Sequence, residues 1–284
     1  MSAAYKYCGP EGVKILEGLD IKVTPPNEFN DPFEFTPRVI SSKPLRKAFQ
    51  ELKNKQYIVN LFLQEIQSGR FTGNLRQYRQ HVKKNYRQIA FDQAPLFETA
   101  GKMVQNDLIH EISKTFGVIC LSSRRDSILM WGHYCERHTG IVVGFDSSNS
   151  FFKYEPYGLK AVRYVKDRII YDATWLRNDP KMAEFDNELI FSKNADWEYE
   201  KELRMCATLS QLDKHPLSNG SLGYFLQLPP EVIGSVTLGA RCTKALELKV
   251  LSALKKHKLS HVRIERAQLH ENKFEMQFIP LILS

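Results

Sequence analysis

The stretch Thr115-Phe-Gly-Val-Ile-Cys-Leu-Ser-Ser-Arg-Arg-Asp-Ser-Ile-Leu-Met-Trp-Gly-His-Tyr-Cys-Glu-Arg-His-Thr-Gly-Ile-Val-Val-Gly-Phe145 changes periodicity twice. Gly117 to Leu121 is an apolar run of strand length, bounded by polar residues. Asp126 or Ser127 can accept the free amides of a first helical turn. Met130, Trp131 and Tyr134 then fall on one helical face, and His138 follows at the helix end. Gly140 opens a second apolar run, Ile141 to Phe145. The reading is strand, short helix, strand.

Working outward, the downstream chain repeats short strand patterns at Leu159 to Val165, Glu202 to Thr208, Gly223 to Leu228 and Val232 to Leu238. Thr243 to Lys258 carries Leu246, Val250 and Leu254 at four-residue steps, which predicts an amphipathic helix. Two closing strands are expected at His261 to Ala267 and Phe274 to Leu281. Upstream, Leu19 to Thr24 alternates as a strand does before a loop stiffened by Pro25, Pro26 and Pro32. Residues 41–115 read as helical throughout: first Leu45 to Ile66, then Leu75 to Ile89 with apolar steps of 3, 4, 4 and 3, then a third helix from Leu96 to Ile112. Together these predict an α+β fold. Its core is a mixed, mostly antiparallel sheet, and 41–115 form an inserted α-helical lobe within one domain spanning 1–284.

Composition narrows the class. Of 284 residues, 43% are hydrophobic and 25% charged, values of a folded water-soluble chain rather than a disordered or fibrous one. No apolar run is long enough to cross a bilayer and residues 1–7 lack signal-peptide order, so a cytoplasmic location without membrane association is expected. The five cysteines are scattered, which predicts free thiols. No histidine spacing predicts a metal site. The net charge of +8 resides entirely between Lys43 and Gln93, where eleven Lys and Arg face three acids. Within it Arg76, Arg79, Lys83 and Arg87 form a stripe that fits a nucleic acid or an acidic protein. The plainer reading of that stripe is a solvated helix face.

Three clusters carry further chemistry. Tyr5 and Tyr7 on an aromatic strand precede a loop holding Asn30 and Asp31, which either form an Asx turn or aim polar groups at a ligand. Trp131, Tyr134 and His138 belong to the helix above, as core or as a stacking platform. In Asp196-Trp-Glu-Tyr-Glu-Lys-Glu-Leu-Arg204, strand geometry places Glu198, Glu200, Glu202 and Arg204 on one face. Such a carboxylate row is either a solvated edge strand or a site that stabilises positive charge, with Arg204 orienting the glutamates. A metal-dependent nuclease rests on the same row.

Taken in order, Tyr5-Lys-Tyr7, Ile15-Leu16, Gly18, Thr24-x-Pro26, Phe29-Asn-Asp-Pro-Phe-Glu34, Met130-Trp-x-His-Tyr134, His138-x-Gly140 and Trp197-x-x-Glu-x-Glu-x-Arg204 resemble the bacterial domain of unknown function 2971 family. More loosely, Tyr5 and Tyr7 with Ile15-Leu16-Glu-Gly18 and the late Glu200-Lys-Glu202 are similar to the ADP-ribosyltransferase fold. No H-G-T or R…S-T-S pattern accompanies them. That second resemblance implies NAD as co-substrate and Glu200 or Glu202 as the catalytic carboxylate. It also implies Tyr5, Tyr7, Asn30, Asp31, Trp131, Tyr134 and His138 as cofactor-binding residues, with Trp131 and Tyr134 stacking on a base. The activity expected is an NAD-consuming transferase, a toxin or phage-defence effector. The alternative is a non-catalytic nucleic-acid-binding module using the basic lobe.

Overall fold

The computed structural model describes residues 3–40, 44–90, 92–93, 109–153, 158–172, 180–217 and 220–281. From the N-terminus the chain forms β1 (Ala3–Cys8), α1 (Lys14–Gly18), β2 (Asp20–Val23) and β3 (Arg38–Ile40), then α2 (Pro44–Glu51), α3 (Lys55–Gln67) and α4 (Leu75–Lys84). β4 (Phe116–Ser122), α5 (Ile128–His133), β5 (Ile141–Asp146), β6 (Lys160–Ala161), β7 (Arg163–Val165) and β8 (Ile170–Asp172) follow. Next come α6 (Pro180–Ile190), β9 (Ser192–Asn194), β10 (Glu202–Thr208), β11 (Asp213–Pro216) and β12 (Leu222–Gln227). The closing elements are β13 (Ile233–Leu238), α7 (Lys244–Lys256), β14 (Arg263–Leu269) and β15 (Met276–Pro280). The fold is α+β. Among the described residues no helix is long and apolar enough to cross a membrane.

The chain divides into two compact units. One comprises Met1–Phe35, Glu111–Asp167 and Phe191–Ser284; the other comprises Thr36–His110 and Arg168–Ile190. The helical unit thus takes in a second, later segment besides the single stretch that the helical periodicity marks.

The first unit is built on an eight-stranded sheet of order β15-β14-β13-β5-β1-β4-β10-β6. Neighbours are antiparallel except β13 and β14, the one pair joined by a helical crossover, α7, as parallel pairing requires. β5 shows why it is central: Ile141, Val143 and Phe145 enter the main core with Leu16, Ile21, Ile119, Met205 and Val250. Val142 enters a second cluster on the opposite face with Tyr7, Met130, Trp131 and Cys135. A strand buried on both faces reads as a continuous apolar run rather than an alternation, which is the Ile141 to Phe145 pattern. Tyr5 pairs with Ser122, and Ser122 with Glu202, so three residues from three strands lie in one row across the sheet.

In the second unit Ala48, Leu52, Leu61, Tyr78, Val82 and Ala90 form a small core of their own. Asn54 caps α3 by accepting from the amides of Gln56 and Tyr57, and Asn74 with Gln77 forms a capping box on α4. The helix expected from Leu75 to Ile89 is not continuous. α4 stops at Lys84: Asn85 leaves helical geometry at φ −109° and ψ 24°, its backbone amide still donates to the His81 carbonyl at 2.9 Å, and its side chain donates to the same carbonyl at 3.1 Å. Arg76, Arg79 and Lys83 are exposed on α4, and Arg87 is exposed beyond the break. The third expected helix, Leu96 to Ile112, lies largely outside the described residues.

Candidate active site

The row of four alternating residues expected at 198–204 does not exist as a strand. Ala195–Glu200 wind as a 3-10 helix whose first turn is capped by Asn194, accepting from the Asp196 amide at 3.2 Å. Lys201 then turns the chain at φ 46°, and only from Glu202 does it run extended. Glu198 is thereby directed to the surface, where it pairs with Lys201 at 2.9 Å. Glu200, Glu202 and Arg204 are directed inward and are 3%, 4% and 0% exposed, which removes the solvated-edge reading for these three.

Two buried residues complete the cluster. Lys193, from β9, places its Nζ 2.6 Å from Glu200 Oε2, 3.0 Å from Glu202 Oε2 and 3.2 Å from Glu34 Oε1. Arg204 donates from Nε to Glu202 Oε1 at 2.7 Å and from Nη2 to Glu202 Oε2 at 3.1 Å, and Nη2 also binds Glu34. Three carboxylates therefore meet two cations. Burial raises the Glu34 carboxyl above its usual range, only partly offset by Arg204 and Lys193. Burial acts on Glu202 in the same direction, but Arg204 and Lys193 outweigh it and bring that carboxyl down to about 2. For Lys193 burial works against the charge, yet Glu202, Glu34 and Glu200 hold the amine well above the usual lysine range. Between Glu34 and Glu202, Glu34 takes up a proton the more readily.

Glu200 has a different environment. Its Oε1 accepts from the Tyr134 hydroxyl at 2.5 Å, its Oε2 from Lys193, and its backbone carbonyl from Ser122 Oγ at 2.6 Å. Burial, and then the charge of Glu200, push the Tyr134 phenol well above its usual range, so Tyr134 is a permanent donor at neutral pH.

These groups face a cavity of about 230 Å³ lined by Tyr5, Lys6, Tyr7, Phe29, Asn30, Glu34, Met130, Tyr134, Lys193, Glu200 and Glu202, among others. Tyr7 donates to the Arg124 carbonyl at 3.1 Å, and the Lys6 amine to the Cys120 carbonyl at 2.9 Å. Of the residues marked from the sequence, the cavity gathers Tyr5, Tyr7, Asn30, Tyr134, Glu200 and Glu202. It does not include Trp131, which is fully buried, packs edge-on against Tyr7 at 5.6 Å and donates to the Arg125 carbonyl at 2.8 Å. Full burial leaves Trp131 no free face on which to stack a base. His138 lines a separate cavity. Asp31 is buried and uses Oδ1 to accept from the Phe33 amide at 2.9 Å, which is the Asx turn. Lys193 and Glu34 are site residues that the sequence does not single out: lone Lys and Glu are ordinarily exposed, and their own spacing does not signal that both turn inward.

The model of a family described as "Protein of unknown function (DUF2971)" matches residues 130–205, a segment that runs from α5 through β10 and carries Tyr134, Lys193, Glu200, Glu202 and Arg204. Comparison with curated proteins and with solved structures gives no match.

Proposed function

We propose that this chain is an NAD-consuming enzyme of the ADP-ribosyltransferase-like kind, with Glu200 as the carboxylate that meets the reacting sugar. The observation that carries the reading is Glu200 itself, a buried carboxylate held from both oxygens at the wall of an aromatic-lined cavity. Five buried charged groups are a poor way to stabilise a fold, since apolar residues of similar volume usually do as well or better. Their concentration beside a cavity favours function. When the bond between nicotinamide and ribose breaks, its electron pair goes to the ring nitrogen and positive charge moves onto the sugar. A fixed carboxylate in a dry site stabilises that charge.

The remaining roles follow from position. Tyr134 and Lys193 fix Glu200, while Arg204 fixes Glu202, whose oxygens are both already engaged. Tyr5 and Phe29 supply aromatic walls, and Asn30 a polar side chain at the rim. The volume lies below the about 300 to 1,000 Å³ of sites enclosing a whole drug-sized ligand, so it fits a ring and a sugar rather than an entire dinucleotide. Nicotinamide release from NAD, measured with and without nucleic acid, tests the reading. Glu200→Gln, shown folded, should lose on the order of 100-fold or more, and Tyr134→Phe should lose less. Turnover by Glu200→Gln equal to that of the original protein refutes it, as does no release under any condition.

A second reading has its own observation: Arg76, Arg79, Lys83 and Arg87 are exposed, and none is in an ion pair among the described residues. We propose that this surface binds a nucleic acid. Affinity should fall linearly with log salt, and replacing all four by Gln should flatten the slope by about 3 to 4. An unchanged slope refutes the assignment.

A further inference from the structure

A second cavity in the sheet unit, about 330 Å³, is lined by His138, Ala240, Arg241, Arg266, Ala267 and Gln268, with Leu269 beside them. Arg266 is held in place from two directions, by Glu247 at 2.5 Å and by the Cys242 carbonyl at 3.2 Å. A guanidinium has five N–H donors, so these contacts leave others uncommitted. Arg241 is exposed and in no ion pair among the described residues. The nearby acid, Glu247, is shared with Lys244 at 2.6 Å, so the local balance is positive.

His138 lines the same cavity. Its Nδ1 is buried and has no hydrogen-bond partner. Burial, then the charge of Arg241, push the imidazole below its usual range, so at neutral pH the ring is uncharged and Nδ1 offers one proton or one lone pair. The backbone that presents the ring is strained: Glu136, Arg137 and His138 are consecutive non-glycine residues with φ of 45°, 59° and 70°. Left-handed geometry is unfavourable for residues with a Cβ, and such strain concentrates at functional sites. Close contact fixes the same segment, because a Cβ on Gly239 would stand 2.1 Å from the His138 carbonyl oxygen.

We propose that this cavity binds a phosphate ester, with Arg241 and Arg266 engaging the phosphate and His138, Ala240 and Leu269 bordering the remainder of the ligand. The site does not depend on the reaction proposed above. Its ring system nonetheless adjoins the first cavity, since His138 lies parallel to Trp131 at 6.1 Å and Trp131 packs on Tyr7.

The test uses the full chain, calorimetric titration, and three probes: inorganic phosphate, phenyl phosphate and neutral benzyl alcohol. Phenyl phosphate should bind with a Kd in roughly the millimolar range or tighter, phosphate more weakly, and benzyl alcohol not measurably. Arg241→Gln should weaken phenyl phosphate by on the order of tenfold or more, the loss of a charge-assisted contact. Gln268→Glu, at an exposed position on the rim, should do the same by repulsion. If Arg241→Gln binds as the original protein does, or if binding is lost instead on replacing Arg76, Arg79 and Lys83, the proposal is overturned. Absence of binding by the original protein, or equal binding of benzyl alcohol, overturns it too.

Discussion

Replacing Lys193 by Met keeps most of the side-chain volume and removes the charge that three carboxylates share. In the native cluster Nζ lies within 3.2 Å of Glu34, Glu200 and Glu202. Without it Arg204 still pairs with Glu202 and Glu34, and Glu200 loses its ammonium partner. Breaking a buried pair costs about 3 to 5 kcal/mol. The protein has one way to limit that loss, which is to protonate a carboxyl, and Glu34 is already displaced in that direction. Holding a proton at pH 7 on a group whose unfolded value is about 4.3 costs about 3.7 kcal/mol. The same proton costs only about 1 kcal/mol at pH 5. Glu34 already has a folded pKa raised above the unfolded one, and losing Lys193 raises it further, so the folded state holds the extra proton and stability falls as pH rises through that window. The variant should therefore be about 3 to 4 kcal/mol less stable than the original at pH 7 and about 1 kcal/mol less stable at pH 5. Urea unfolding followed by near-ultraviolet circular dichroism at pH 5, 6 and 7 measures this. A loss independent of pH, or no loss, refutes the charge-sharing argument.

Glu202 gives the opposite sign. Its carboxyl is held down to about 2 against an ordinary value near 4.3, so its stabilisation is complete above about pH 4.3 and is lost as pH falls toward 2. The contribution is on the order of 3 kcal/mol, and Glu202→Gln should flatten the acid-unfolding profile between pH 4 and 2; an unaltered profile argues against it. Arg137→Gly removes the side chain from the middle of the left-handed run and should stabilise the fold by about 1 kcal/mol, read from the urea midpoint. Destabilisation there would mean that the run is not strained.

The strands flanking α5 and the crossover helix α7 were legible because their burial leaves a periodic trace: Leu246, Val250 and Leu254 face the core, and Thr243 caps the helix. Ser127, one of two cap candidates, is the one whose side chain accepts from the helix, at the Met130 amide. The site was legible in part. Tyr5, Tyr7, Tyr134, Glu200 and Glu202 stood out by type and spacing. The five residues before Lys201 were misread, because alternating aromatic and acidic side chains suit a strand and a 3-10 turn equally. The discriminating signal was Asn194 two positions before Asp196, a capping pattern rather than a periodicity. Glu34 depends on Lys193 and Arg204, far away in the chain, and Lys193, though only seven and nine residues from Glu200 and Glu202, has no spacing of its own that marks it as buried.

That dependence governs when the site can exist. Arg204 and Glu34 are separated by 170 positions, and Tyr134 and Glu200 by 66. Contacts of such long range form slowly, because the chain entropy of closing the loop is lost before any contact compensates for it. The segment from Lys193 to Arg204 brings both cations with two of the carboxylates, while Glu34 and Tyr134 join from separate parts of the chain. On a ribosome emitting about 5 to 20 residues per second, the segment Lys193 to Arg204 emerges long after β1 and β4. The cavity's charged wall is accordingly completed after β1, β4 and β5 have emerged and before β13, β14 and β15, so the two halves of the large sheet straddle its completion in time.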